Sequence, residues 1–287
     1  MDIAIGMPGM IPNVSSKTMK EWAQRAEARG FSSLIVDDRL VWAGYDILIS
    51  AAAAAAVTER IKITAAVVLG PLRANLAEFA KQVTSIDRIS DGRFVLGLGV
   101  GSREDDFLAS AIDFHSRGKL MDVLLERTQA IWRGEAEPIG PVPVHSGGPP
   151  LLFGGSSDAT FRRLSRYGTG WVCATSGGPS GVREGAKRAR SAWANAGRSG
   201  SPRILALTPR FALGPNGQSA VDGYLRAYNA YRGNGANQRA ASALVRPELV
   251  REQIELFAAA GCDELVINPC DANPDQVDLL ADAIAGG

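Results

Sequence analysis

The chain has 287 residues, 46% hydrophobic and 21% charged, and its 31 basic side chains nearly balance 30 acidic ones for a net charge of +1. That length and apolar content can bury a full-sized core, and the even charge argues against nucleic acid or an acidic membrane surface as partner. Three cysteines (Cys173, Cys262, Cys270) without CxxC spacing, and two histidines (His115, His145), argue against a disulfide framework, a metal site or a triad needing several imidazoles.

In chain order, a first strand is expected at residues 2–6 (DIAIG). No basic leader followed by an apolar run precedes it, and no stretch of about 18 apolar residues occurs anywhere, so the expectation is a soluble cytoplasmic protein. Met19, Trp22, Ala23 and Ala26 fall at helical spacing, Thr18 with Glu21 resembles a capping box, Gly30 stops the helix, and Leu34 to Val36 read as the next strand. The same grammar returns in "ATFRRLSRYGTGWVCA" and in "VREQIELFAAAGCDELVI", with helix stops at Gly168 and Gly261 and strands near Trp171 and at 265–267. Further strands are expected at 61–69, 93–98, 151–154 and 204–213, and further helices at the alanine run 51–56, at 74–89 and in the closing "PDQVDLLADAI".

Eight strands alternating with helices in one chain of this size imply parallel pairing and closure, so the expected fold is a TIM-type (β/α)8 barrel formed as one domain over residues 1–287. An open doubly wound sheet is the alternative. The Pro/Gly-rich segment 134–150 and the polar segment 233–243 are too irregular for ordinary connections and read as insertions over one mouth of the barrel, with His115 and His145 in loops near it.

Several stretches carry candidate chemistry. "LGLGVG", residues 96–101, lacks the third glycine of a dinucleotide fingerprint, because Ser102 holds that place, and it follows the fourth strand instead of the first. In a barrel such glycines end a strand where a flat ligand can lie against bare backbone; an unliganded turn is the alternative. In "FGGSSDATFRRL", Gly155, Ser156 and Ser157 stand before a helix start, where unpaired N–H groups and the dipole favour a phosphate, or where a serine simply caps the helix. The loop 176–181 (SGGPSG) has weaker claims. At the end of the second strand, "VDDRLVW" places Asp37, Asp38 and Arg39 at a barrel mouth, able to orient a carbonyl or move a proton unless they are merely solvated.

The runs "GFSSLIVDDRL", "SIDRISDGRFVLGLGVGSREDDF", "PPLLFGGSSDATFRRLSRYGTGW" and "FAAAGCDELVI", in this order, resemble the bacterial luciferase-like family of flavin and deazaflavin enzymes. The resemblance implies the barrel, a planar isoalloxazine or 5-deazaflavin ring in its mouth, and a bulge with a non-prolyl cis peptide behind the ring at Ala66 and Val67. It also implies that Gly99 and Gly101 lie near the ring and that Gly154, Gly155, Ser156 and Ser157 hold the cofactor phosphate. One position departs: where deazaflavin-dependent relatives carry an Asp-His pair, this chain reads Asp38-Arg39, and arginine cannot exchange a proton near neutral pH.

The resulting expectation is an oxidoreductase moving a hydride between the ring and a small organic substrate, with Asp38 and Arg39 as its catalytic residues and no metal. Coenzyme F420 is favoured, because the Ala- and Arg-rich composition fits a GC-rich genome of the sort that encodes its synthesis. FMN is the alternative, as an oxygen-using monooxygenase fed by a separate flavin reductase. A cofactor-binding barrel without turnover and a redox-inactive barrel acting on a phosphorylated metabolite are the rivals from other classes. Homodimer formation through helices near 47–57 and 74–89 is a further expectation.

Overall fold

Eight parallel strands close on themselves in chain order, each hydrogen-bonded to the next and the last to the first. The computed structural model describes residues 1–173, 177–230 and 243–286, with backbone alone at 208 and 209. The strands are β1 Asp2–Gly6, β2 Ser33–Val36, β3 Lys62–Leu69, β4 Phe94–Gly99, β5 Leu151–Gly154, β6 Gly170–Cys173, β7 Arg203–Phe211 and β8 Glu264–Pro269. All eight agree with the strand reading of the sequence to within a few residues, and the fold is a TIM-type (β/α)8 barrel. The helices are α1 Ser16–Ala28, α2 Ile47–Ala56, α3 Leu76–Ile89, α4 Glu104–Ala109, α5 Arg117–Trp132, α6 Asp158–Tyr167, α7 Gly178–Asn195, α8 Gly217–Tyr228, α9 Pro247–Ala259 and α10 Asp275–Ala285. No helix among the described residues is long and apolar enough to cross a membrane.

Helix starts follow local chemistry. The hydroxyl of Ser15 accepts the Thr18 N–H and caps α1, so the expected capping box at Thr18 and Glu21 is corrected: Thr18 lies inside the first turn, and Glu21 pairs with Arg25 one turn on. Asp46, Asn75 and Ser157 cap α2, α3 and α6 in the same way.

Side chains alternate across each strand, which sorts the core into two shells. Outward residues such as Leu34, Ile63, Phe94, Leu96, Phe153 and Ile267 pack under the helices with Trp22 and Phe79. Inward residues fill the barrel: Ala4, Ile35, Ala66 and Val266 on one side, Leu152, Val172 and Leu205 on the other, with Val67 and Leu207 touching both groups. The end where the strands begin is closed by polar groups, since Ser33 donates to Glu264 (2.6 Å) and Arg203 holds the same carboxylate (3.1 Å). The opposite end remains as the mouth.

The segment 134–150 is not at that mouth. It leads from the end of α5 into β5, and helices return the chain to the end where strands start. There Val144 N–H donates to Asp87 (2.6 Å) at the foot of α3, Arg88 donates to the Val142 carbonyl (2.6 Å), and His145 stands 3.6 Å from Asp87. The expectation that 134–150 and His145 border the mouth is therefore corrected. His115 does lie on the mouth side, exposed, in a short turn before α5. Most of the segment 233–243 and part of the 176–181 loop fall outside the described residues.

Candidate active site at the barrel mouth

Two strands carry an extra residue, and both irregularities shape the mouth. The β3–β4 register shifts between Ala65 and Val68, so Ala66 and Val67 both turn inward, and the Ala66–Val67 peptide bond is cis. Val67 is then surrounded by glycines. A Cβ on Gly97 would lie 2.3 Å from the Ala65 carbonyl, one on Gly99 2.5 Å from Val67 Cγ2, and one on Gly154 3.0 Å from Val67 Cγ1. The glycines of β4 and β5 thus make room for the bulge, and the partly exposed Val67 isopropyl group with bare backbone beside it forms a flat apolar floor. Gly101, at φ 78°, turns the chain out of β4 over Phe107.

The second irregularity is in β7, where Leu207 pairs with Val266 but Arg210 pairs with Asn268. Without the extra residue Arg210 would face the helices; with it, Arg210 shares the inward parity of Glu264, Val266 and Asn268. Asp37, next in the inward series after Ser33 and Ile35, approaches Arg210 at 3.6 Å. The mouth is therefore two-sided: Val67, Gly99 and Gly154 are apolar or bare, while Asp37, Arg210 and Asn268 are polar.

The structure separates the three charged residues after β2. Asp38 turns away from the barrel interior, and its Oδ2 accepts the Leu69 N–H (2.8 Å) and Arg73 Nη2 (3.0 Å). Arg73 also reaches Asp46, the cap of α2. Arg39 extends to α4, pairing with Asp106 (2.8 Å) and Asp105 (3.0 Å), and Asp106 in turn accepts the Val41 N–H (2.9 Å). These residues border a cavity of about 340 Å³ lined by Asp38, Arg39, Tyr45, Asp46, Arg73 and Ser110. Burial pushes the Asp37 carboxyl above its ordinary value despite Arg210, and burial does the same to Asp38 against the pull of Arg73 and the Leu69 N–H.

At the start of α6, the Ser157 hydroxyl is engaged in capping, as it accepts the Thr160 N–H. Gly155 adopts φ 121°, its carbonyl takes the Trp171 indole N–H (2.7 Å), and a Cβ there would lie 2.9 Å from Thr160 Oγ1. Gly155, Ser156 and Ser157 are exposed, and Arg188 reaches across from α7 to the Ser156 carbonyl (2.6 Å) and Asp158 (2.7 Å). The loop thus offers backbone N–H groups, a free-standing serine and a nearby guanidinium, a donor set suited to phosphate.

Sequence reading missed Arg73, Arg188, Arg210 and Asn268. For Arg73, Arg210 and Asn268 the only signal was a polar residue at or just past a strand end, Arg188 inside α7 carried none, and Arg210 lay inside an expected strand with the parity of an outward residue.

Against this geometry, a family model described as luciferase-like monooxygenase matches residues 6–270. The chain belongs to that family. Solved structures with the family's barrel superpose over nearly the whole length. Monooxygenase RslO1 from Streptomyces bottropensis gives a TM-score of 0.78 at 21% identity, covering 100% of this chain and 99% of its own. An F420-dependent secondary alcohol dehydrogenase in complex with an F420-acetone adduct gives 0.77 at 16% identity, covering 99% and 98%. The oxygenating constituent of 3,6-diketocamphane monooxygenase from Pseudomonas putida, in complex with FMN, gives 0.74 at 18%, covering 100% and 98%. At such identities the likeness is one of fold. Among curated proteins, an uncharacterized protein of Mycobacterium tuberculosis is 31% identical over 174 residues, 56% of this chain and 61% of that protein's length.

Proposed function

We propose that the whole chain, residues 1–287, works as one oxidoreductase that binds coenzyme F420 and exchanges a hydride with a small organic substrate at the barrel mouth. The observation that carries this reading is the flat floor of Val67 between Gly99 and Gly154, beside a phosphate-suited loop at the start of α6. A planar ring fits that floor, and Gly155, Ser156 and Ser157 with Arg188 would hold its phosphate. The ring, when bound, supplies the hydride chemistry; the protein supplies placement and electrostatics.

In this reading Ala66 and Val67 back the ring, Gly99 and Gly101 border it, and Gly154 leaves space where the floor meets the phosphate loop. Asp38 is a positioning residue, because its carboxylate ties the end of β2 to the end of β3 through the Leu69 N–H and Arg73. Arg39 fixes the same loop to α4. The inward-facing acid, Asp37, is the group placed to hold or move a proton at the mouth.

Titration of the protein with F420 and, separately, with FMN, followed by ligand fluorescence, tests the assignment. Tight binding of F420, weakened at least tenfold by Ser156→Asp, is the expected result, since the new carboxylate faces the phosphate. Preference for FMN would transfer the protein to the oxygen-using monooxygenases of the family, with a reductase partner. Binding of neither ring would refute the cofactor reading.

A further inference from the structure

The polar half of the mouth, Asp37, Arg210 and Asn268, lies outside the apolar floor proposed for the ring. Arg210 is turned inward by the β7 irregularity, and its guanidinium is packed 4.9 Å from the Tyr224 ring centroid and 5.4 Å from that of Tyr228. These two rings stack on each other, and Trp42 meets both edge-on, held by its indole N–H to the Met10 carbonyl (2.7 Å). A guanidinium carries five N–H donors. Among the described residues the polar partner of Arg210 is Asp37, at 3.6 Å, a long contact that leaves donor capacity unused while 14% of the side chain remains exposed.

A second observation points to a ligand. Asn268, 2% exposed on the neighbouring strand, has an Oδ1 with no hydrogen-bond partner among the described residues. That oxygen lies over Gly6, where a Cβ would stand 2.0 Å from it, so β1 carries glycine where the amide crosses the mouth. A buried acceptor left unpaired costs about 1–3 kcal/mol, which an arriving N–H or O–H donor would recover.

We propose that Arg210 and Asn268 are substrate-recognition residues and that the substrate is a small carboxylate with a planar apolar body. Its carboxylate takes the open N–H groups of Arg210, its body lies against Tyr228 and Trp42, and a hydroxyl or amide N–H donates to Asn268 Oδ1. Asp37 holds the guanidinium in place and competes with the incoming anion for it. This inference deepens the proposed function, and it rests on the mouth being the active site, but the ligand's binding does not require the ring.

The test is calorimetric titration of the full chain, without cofactor, using benzoate, the three hydroxybenzoates and neutral benzyl alcohol as probes. Benzoate is expected to bind at least tenfold more tightly than benzyl alcohol. Arg210→Gln should remove that preference, and Arg210→Lys, which keeps the charge but not the fork, should retain part of it. Asp37→Asn should tighten benzoate at least threefold by removing the competing carboxylate, a gain that a merely structural pair would not give. At least one hydroxybenzoate should bind better than benzoate, and Asn268→Ala should abolish that difference. Equal affinity for benzoate and benzyl alcohol, weaker benzoate binding in Asp37→Asn, or displacement of benzoate by F420 or FMN would each overturn the proposal. If neither ring binds while the benzoate pattern holds, the cofactor reading falls and this one stands.

Discussion

Replacing Arg39 by methionine distinguishes a structural clamp from a catalytic cation. The guanidinium is 8% exposed and pairs with two carboxylates, Asp106 at 1% exposure and Asp105 at 39%. The half-exposed Asp105 arm contributes about 0–1 kcal/mol. Removing the partner of a buried charge costs about 3–5 kcal/mol, and the low end applies here because Asp106 keeps the Val41 N–H. Methionine preserves the aliphatic stem, so little packing is lost. The expected loss is about 3 kcal/mol in urea unfolding, or about 6 °C in Tm at roughly 2 °C per kcal/mol for a chain of this size. Adding Asp106→Asn, which removes the stranded charge while still accepting from Val41, should recover at least half of the loss. Unchanged stability accompanied by lost turnover would refute the clamp and return Arg39 to a catalytic role; a double variant no more stable than the single one would refute the accounting.

Two further outcomes follow from packing. Gly6→Ala places a Cβ 2.0 Å from Asn268 Oδ1 and 3.1 Å from Asn268 Cα, so it should cost about 1–3 kcal/mol in urea unfolding, and adding Asn268→Ala should relieve most of it. Burial pushes the Cys173 thiol up to about 11 and the Cys262 and Cys270 thiols up to about 12, so a disulfide-exchange reagent should titrate essentially no thiol in the native protein and all three after denaturation. Fast reaction of a native thiol would show that one of these sites opens.

Much of the architecture was legible because local signals repeat. Helix stops at Gly30, Gly168 and Gly261, each followed by a short apolar strand, mark a helix-to-strand unit that a parallel α/β sheet repeats, whether closed or open. The glycine run of β4 was legible as a strand end, but its cause was not: Gly97 and Gly99 accommodate Ala65 and Val67 of another strand. Segment 134–150 was misplaced because composition shows irregularity without showing which end of the barrel a connection occupies.

The sequence by itself marked the eight strands, the runs that resemble the family and the glycine- and serine-rich loop at 154–157, because each depends on periodicity or on residues adjacent in the chain, whereas closure into a barrel in place of an open sheet is decided by the pairing of β8 with β1. Tertiary structure alone decided which of the consecutive residues Asp37, Asp38 and Arg39 faces the mouth, and that Arg210, paired in register with Asn268, meets Asp37 there. The physical reason is parity. One extra residue in β7 reverses the facing of every side chain after it, and such a bulge is set by pairing with β8, not by the residues of β7 alone.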